Sequence, residues 1–310
     1  MSPVIDVPRG PLAYADPSYA ASLKEFGTPR ALPRCKGWIL ERPVPATGGY
    51  RDGTGCYPLF SCQDWSQLND DIDELADELL TVSLVADPFG APDATELARS
   101  FDVVLPFKEH YVTELHRPVD VIASAHHRKY ARRALRNLVI EQCPTPLQYL
   151  DEWVEMYAGL SAAHRLSGLR AFSRQSFQQQ LAMEGLVMFR ASRDGRTAGL
   201  HLWLRRGDVA YGHLGATNDA GYALAAAYGL YWHAIEWFSG SVQWLHLGGS
   251  AGTHRTAADG LAAFKSGWAT ATRTAYWCGR CFDRVKYDEL SRARNVDAGA
   301  FFPAYRAGEA

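Results

Sequence analysis

Residues 186–217 read LVMFRASRDGRTAGLHLWLRRGDVAYGHLGAT, three runs of period-two alternation split by Asp194-Gly195 and by Gly207-Asp208. Asp-Gly and Gly-Asp pairs reach positive φ at little cost and close tight hairpins. Two successive hairpins make a three-stranded antiparallel meander, and a meander needs its apolar faces covered. The flanks supply the cover. Helical periodicity precedes it in LQYLDEWVEMYAGLSAAHRL (147–166) and SRQSFQQQLAM (173–183). A nearly all-apolar helix follows over 221–238, with Asn218 or Asp219 as its cap. Then come a strand, VQWLHLG (242–248), a helix, TAADGLAAFKSGW (256–268), and a last strand, RTAYWCGRCF (273–282).

The first half shows a sparser version of the same order. Residues 1–50 are rich in Pro and Gly and predict an arm or an irregular lead-in. In DWSQLNDDIDELADELL (64–80), Leu68, Ile72, Leu75 and Leu79 share one helical face, and the opposite face is acidic. LLTVSLVADP (79–88) predicts a buried strand. FDVVLPFKEHYVTEL (101–115) predicts another, broken at Pro106. Residues 126–143 begin as a basic helix and end as the strand NLVIEQC, and Pro144 and Pro146 mark a boundary. The expected division is an arm (1–50), a first unit (51–145), a second unit (146–290) and a tail (291–310). The expected fold class is α/β, of the α+β kind, with mostly antiparallel mixed sheets flanked by helices.

Bulk properties exclude little but point consistently. The net charge of −2 over 310 residues rules out a globally basic nucleic-acid binder. The longest apolar stretch, YALAAAYGLYW (222–232), is too short to span a bilayer, and the N-terminus has no signal-peptide pattern, so a cytoplasmic protein with no membrane contact is expected. The six cysteines are then thiols. Cys278 and Cys281 sit in a strand, where positions i and i+3 face opposite sides, so no metal site is expected. GGSAG (248–252) matches a nucleophile elbow, but no acid followed by histidine comes after Ser250, so it is expected to be a glycine turn.

This order of elements resembles the GNAT acyltransferases, and two units in tandem resemble the Fem-type aminoacyltransferases and their acetyltransferase-like relatives. HRKYARRALR (127–136) is similar to the basic helix that closes their first unit. The run from Gly185 to Thr217 is similar to their meander, and YWHAIEWFSGSVQWLHLGG (231–249) to the helix and strand that follow it. GLAAFKSGW (260–268) is similar to their Gly-Leu-x-x-Phe-Lys-x-x-Trp/Phe segment. The resemblance implies an acyltransferase that uses acyl-coenzyme A or, alternatively, an aminoacyl-tRNA as donor and an amine of a small molecule or peptide as acceptor. A non-catalytic binding module is the third reading. The usual Gln/Arg-x-x-Gly-x-Gly/Ala pyrophosphate loop is replaced here by HLGATNDAGYA (213–223).

The candidate residues follow. Lys265 is either a snorkelling lysine or a fixed cation beside a reacting carbonyl. His213 and Tyr211 share a strand face and are candidates for proton transfer. His246 is a similar but weaker candidate, and Glu236 is a partner for one of these histidines or an outward carboxylate. Gly215, Ala216, Thr217, Asn218, Gly221, Gly248 and Gly249 are candidates for holding the cofactor. Lys108, His110, His164, Arg165 and Trp203 are candidates for the substrate site. Arg128, Arg132, Arg133 and Arg136 form a candidate phosphate-binding or tRNA-binding face, or else a solvated one.

Overall fold

The computed structural model describes residues 11–45, 47–250, 260–293 and 301–307. Eleven strands form one sheet: β1 (Thr28–Leu32), β2 (Gly37–Pro43), β3 (Arg51–Gly55), β4 (Thr81–Val85), β5 (Val103–Glu114), β6 (Val139–Cys143), β7 (Leu186–Arg193), β8 (Arg196–Arg206), β9 (Val209–Thr217), β10 (Trp244–Gly248) and β11 (Ala271–Cys281). Their order across the sheet is β1-β2-β3-β4-β11-β5-β10-β9-β8-β7-β6. Every pair is antiparallel except β3 with β4 and β10 with β9.

The two halves repeat one plan. Each is a meander (β1-β2-β3 or β7-β8-β9), a strand parallel to its last member (β4 or β10), and one more strand (β5 or β11). The last strands are exchanged. β11, from the second half, pairs with β4 of the first, while β5, from the first half, pairs with β10 of the second. β5 and β11 also pair with each other, from Ala271↔Val112 to Gly279↔Val103.

Several expectations change. Residues 28–43, expected as part of an arm, form β1 and β2. Their sequence, TPRALPRCKGWILERP, hides the alternation because Pro29 and Pro33 interrupt it and β1 is an edge strand, where a missing N–H is tolerated. Pro106 does not break β5, because a register shift at Ala275/Tyr276 lets the ladder pass it. β6 is the outer edge of the second half's meander, beyond the expected boundary at 145, because it pairs with β7. The helix expected over 221–238 is two helices, Asp219–Leu224 and Ala226–Phe238, parted at Ala225, whose φ is +60°. Part of the expected tail is built in: Phe302, Ala304, Tyr305 and Arg306 are buried.

The meander alternates as expected, but both of its faces are buried. Met188, Leu200, Leu202, Leu204 and Tyr211 pack with Tyr14, Tyr19, Trp153 and Phe177. Phe189, Trp203 and Ala210 pack on the other face with Leu230, Ile235, Phe238 and Trp268. A fully buried side chain of this size contributes about 1.5–3 kcal/mol relative to exposure, so two covered faces anchor the second half firmly. The acidic face at 70–78 is matched by Arg30 to Glu78, Arg34 to Asp70 and Glu74, and Arg280 to Asp73.

The C-terminal segment is held by a buried ion pair. The Arg306 guanidinium donates from Nη2 to Asp52 Oδ1 at 2.9 Å and to the Pro43 carbonyl at 2.7 Å, and Tyr305 donates its hydroxyl to Asp52 Oδ2 at 3.0 Å. Arg42 Nε lies 3.7 Å from Asp52 Oδ1 as well, but removing the hydrogen-bonded member of such a pair leaves a buried charge largely uncompensated. Arg306→Ala is therefore expected to lower unfolding free energy by about 3–5 kcal/mol, measured by urea titration. A loss below about 1 kcal/mol would show that Asp52 finds other compensation.

Candidate functional site

The sheet opens where β9 and β10 diverge. Their parallel pairing runs through Trp244↔Val209, Leu245↔Ala210 and His246↔Tyr211 and then stops. β9 continues to Thr217 along β8, while β10 continues to Gly248 along β5. The facing edges beyond this point have no strand between them among the described residues.

Lys265 stands at this opening. It lies on the helix Gly260–Ser266, and its ammonium donates to the Gly249 carbonyl at 2.6 Å. Lys108, on β5, donates to the next carbonyl, Ser250 O, at 3.2 Å. The charge of Lys265 acts on His110 and His246 on one face of the sheet and on His201 on the other. Lys265 is half-buried, and its ammonium rests on the turn at Gly248 and Gly249, at the end of β10.

Beneath the lysines, His110 Nδ1 and His246 Nε2 are 2.7 Å apart, so one imidazole donates to the other. Burial first, then the charges of Lys265 and Lys108, lowers the His110 pKa to about 3. Burial, with His110 and Lys265, holds His246 well below its usual value. Both rings are thus neutral at neutral pH. His246 Nδ1 is buried with no hydrogen-bond partner among the described residues. Sequence reasoning gave His246 a weak place, since a histidine within an apolar strand reads as core until its neighbours are known.

The other candidates fall in three places. His213 is core: Gln180 Oε1 lies 3.1 Å from Nε2 and the Tyr14 hydroxyl 3.3 Å from Nδ1, so both ring nitrogens are engaged. Trp203 is fully buried against His201, Tyr231 and Phe238. Glu236 is exposed, and so are His164 and Arg165, at the C-terminal end of the helix Leu150–His164. Tyr211 donates its hydroxyl to Asp87 at 2.8 Å. Asp87 is fully buried and also accepts from Ser61, Arg206 and the Phe89 N–H, although burial outweighs them and raises its pKa. Sequence reasoning missed Asp87 and Arg206. The available signal was a carboxylate at the C-terminal end of an apolar strand, where a charge needs a partner.

The expected cofactor loop is largely self-satisfied. Gly215, Ala216 and Thr217 belong to β9 and pair with β8. Asn218 accepts from the Gly221 N–H at 3.0 Å, taking a donor that a phosphate would use. Gly221 is pressed so closely on the meander that a Cβ there would lie 2.0 Å from the Ala198 carbonyl oxygen. Gly248 and Gly249, by contrast, form the turn on which the two lysines rest.

The basic helix spans Ala125–Asn137. Arg128 caps the carbonyls of Asp120 and Ala123, and Arg133 donates to Ala223 O. Lys129, Arg132 and Arg136 are exposed, and none of the five cations of this helix pairs with a carboxylate among the described residues. Among the described residues no cluster of three metal-ligating side chains occurs, and no helix is long and apolar enough to cross a membrane. Gly252 and His254, from the elbow motif, lie outside the described residues.

Neutral buried histidines make stability depend on pH. Burial lowers His201 and His213 to about 3, below the unfolded value near 6.5. The unfolded chain then binds more protons, so stability is present above about pH 6.5 and is lost as pH falls toward about 3. Each independently titrating ring costs about 2 kcal/mol by about pH 5. The denaturation midpoint should therefore drop between about pH 7 and about pH 5, and His213→Gln should flatten that drop. An unchanged slope in the variant would show that His213 does not contribute it.

Comparison with known proteins agrees with this geometry. Residues 124–272 match the family of acetyltransferase (GNAT) domains. No curated protein matches the sequence. Among solved structures, FemX superposes with a TM-score of 0.65 at 12% identity, covering 88% of this chain and 93% of FemX. The C-terminal domain of a proposed lysylphosphatidylglycerol synthetase from Agrobacterium fabrum gives 0.61 at 13% identity, covering 89% and 90% of the two chains. L-PGS from Bacillus licheniformis gives 0.60 at 12%, covering 90% and 95%. The family match begins at the basic helix, in line with the pairing of β6 to the second meander. Residues 124–272 thus match a GNAT domain, and the fold of the chain as a whole resembles that of FemX.

Proposed function

We propose that the protein is an acyltransferase in which an amine attacks a carbonyl donor directly, in the opening between β9 and β10. The observation that carries this reading is the Lys265 ammonium, held on Gly249 O at the point where the strands part. Attack builds negative charge on the carbonyl oxygen, and a fixed cation there stabilises it. The attacking nitrogen becomes positively charged in the tetrahedral adduct. Its proton then passes to a neutral nitrogen of the His110–His246 pair, and collapse of the adduct expels the donor's leaving group.

The donor is an aminoacyl-tRNA. Two observations favour it over coenzyme A: Asn218 already takes the Gly221 N–H that a pyrophosphate would need, and Lys129, Arg132 and Arg136 present exposed cations on the helix Ala125–Asn137. The Fem-type resemblance of GLAAFKSGW points the same way. Acyl-coenzyme A is the second reading, favoured by the acetyltransferase family match and by the parted parallel strands. The acceptor is an amine of a small molecule or peptide.

Incubation with aminoacyl-tRNA should retard the tRNA on a native gel, and the shift should fade as salt rises. Coenzyme A should leave the melting temperature unchanged; a clear rise would instead select the second reading. Lys265→Ala should cut kcat by about 10²–10³ without unfolding the protein. Undiminished turnover in that variant would refute the oxyanion role.

A further inference from the structure

The helix that carries Lys265 is only Gly260–Ser266, so the position of the ammonium depends on how this short helix is docked: Phe264 packs edge-on against Tyr228 and Tyr231. The helix ends against the first turn of the basic helix. Ser124, the N-cap of that helix, donates its backbone N–H to Gly267 O at 2.9 Å. Three residues on, His127 Nε2 lies 2.8 Å from the Phe264 carbonyl, and Nδ1 lies 2.7 Å from Ser124 Oγ.

These contacts determine the proton positions. A carbonyl only accepts, so His127 Nε2 carries the hydrogen. Burial lowers the pKa of His127, which keeps the ring neutral, so Nδ1 accepts from the Ser124 hydroxyl. Phe264 O belongs to the last turn of its helix, where carbonyls have no partner within the helix. His127 supplies that missing donor. The ring is clamped edge-on against Trp268, with centroids 4.9 Å apart, and lies beside Tyr228 and Phe264. Gly267 is required for the fit, since a Cβ there would lie 2.0 Å from His127 Cε1.

We infer that His127 is a positioning residue for Lys265: by holding the Phe264 carbonyl, it keeps the Lys265 ammonium on Gly249 O at the opening of the sheet. The inference rests on the reading of Lys265 as the cation of the acyl-transfer site. His127 does not touch the reacting atoms and acts only through the neighbouring peptide.

The position of the ammonium can be read without any substrate. Trace acetylation of the full chain with acetic anhydride, followed by peptide mass spectrometry, gives a rate for each lysine. Lys24 and Lys36 are exposed and serve as internal references. Lys265 in the wild type should react several-fold more slowly than these, because a held ammonium is protected. His127→Leu keeps the apolar contacts and loses the donor, so Lys265 labelling should rise toward that of Lys24. His127→Gln restores an N–H in reach of Phe264 O and should return labelling to the wild-type rate. If His127→Leu fails to fold, Gly267→Ala replaces it, since the added Cβ displaces the imidazole and should raise Lys265 labelling alike. Unchanged labelling in a folded His127→Leu or Gly267→Ala protein would overturn the inference, as would failure of the Gln variant to restore protection. The catalytic reading of Lys265 stands or falls separately, on the turnover of Lys265→Ala.

Discussion

The pairing of β5 with β11 is the contact on which the rest of the structure depends. It is the longest ladder between the two halves, and each of its members belongs by sequence to the half it does not complete. Because β11 fills the place next to β4, and β5 the place next to β10, the halves cannot slide or separate without breaking two ladders at once. A continuous sheet results, and it opens at β9 and β10, where that parallel pair comes apart.

That opening is where the charged groups gather. Lys108 arrives on β5 from the first half and Lys265 from the helix just before β11 in the second, and they rest on consecutive carbonyls of one turn. The histidine pair also draws one member from each half, His110 and His246. The site is therefore a product of strand exchange: neither half contains it. A second tie, from Asp87 after β4 to Tyr211 on β9 and Arg206 on β8, fixes the first half's loop against the meander. A buried carboxylate is costly alone, and several donors on it make the tie specific.

Much of the second half was legible in the sequence. The meander, its two turns, β10, β11 and the flanking helices follow from alternation and turn residues, since local geometry decides them. The polar partnerships were not. Whether His213 or His246 faces a ligand depends on Gln180, Tyr14 and His110, all distant in sequence. His127 looked like one more member of a basic run, and only the docking of the helix Gly260–Ser266 gives it a distinct partner. Prolines in and just after the edge strand β1 concealed β1 and β2, and an alanine with positive φ, at 225, split a helix that nothing in its composition would interrupt. Strand exchange itself leaves no periodic trace, because a swapped strand and an unswapped one have the same alternation.

The exchange also orders events in time. Translation delivers β4 and β5 long before β11, and until residues 271–281 emerge, both must wait with an unpaired edge. Contacts this far apart in the chain close slowly. The nascent N-terminal half is thus a holding state, and its open edges close only when β11 arrives.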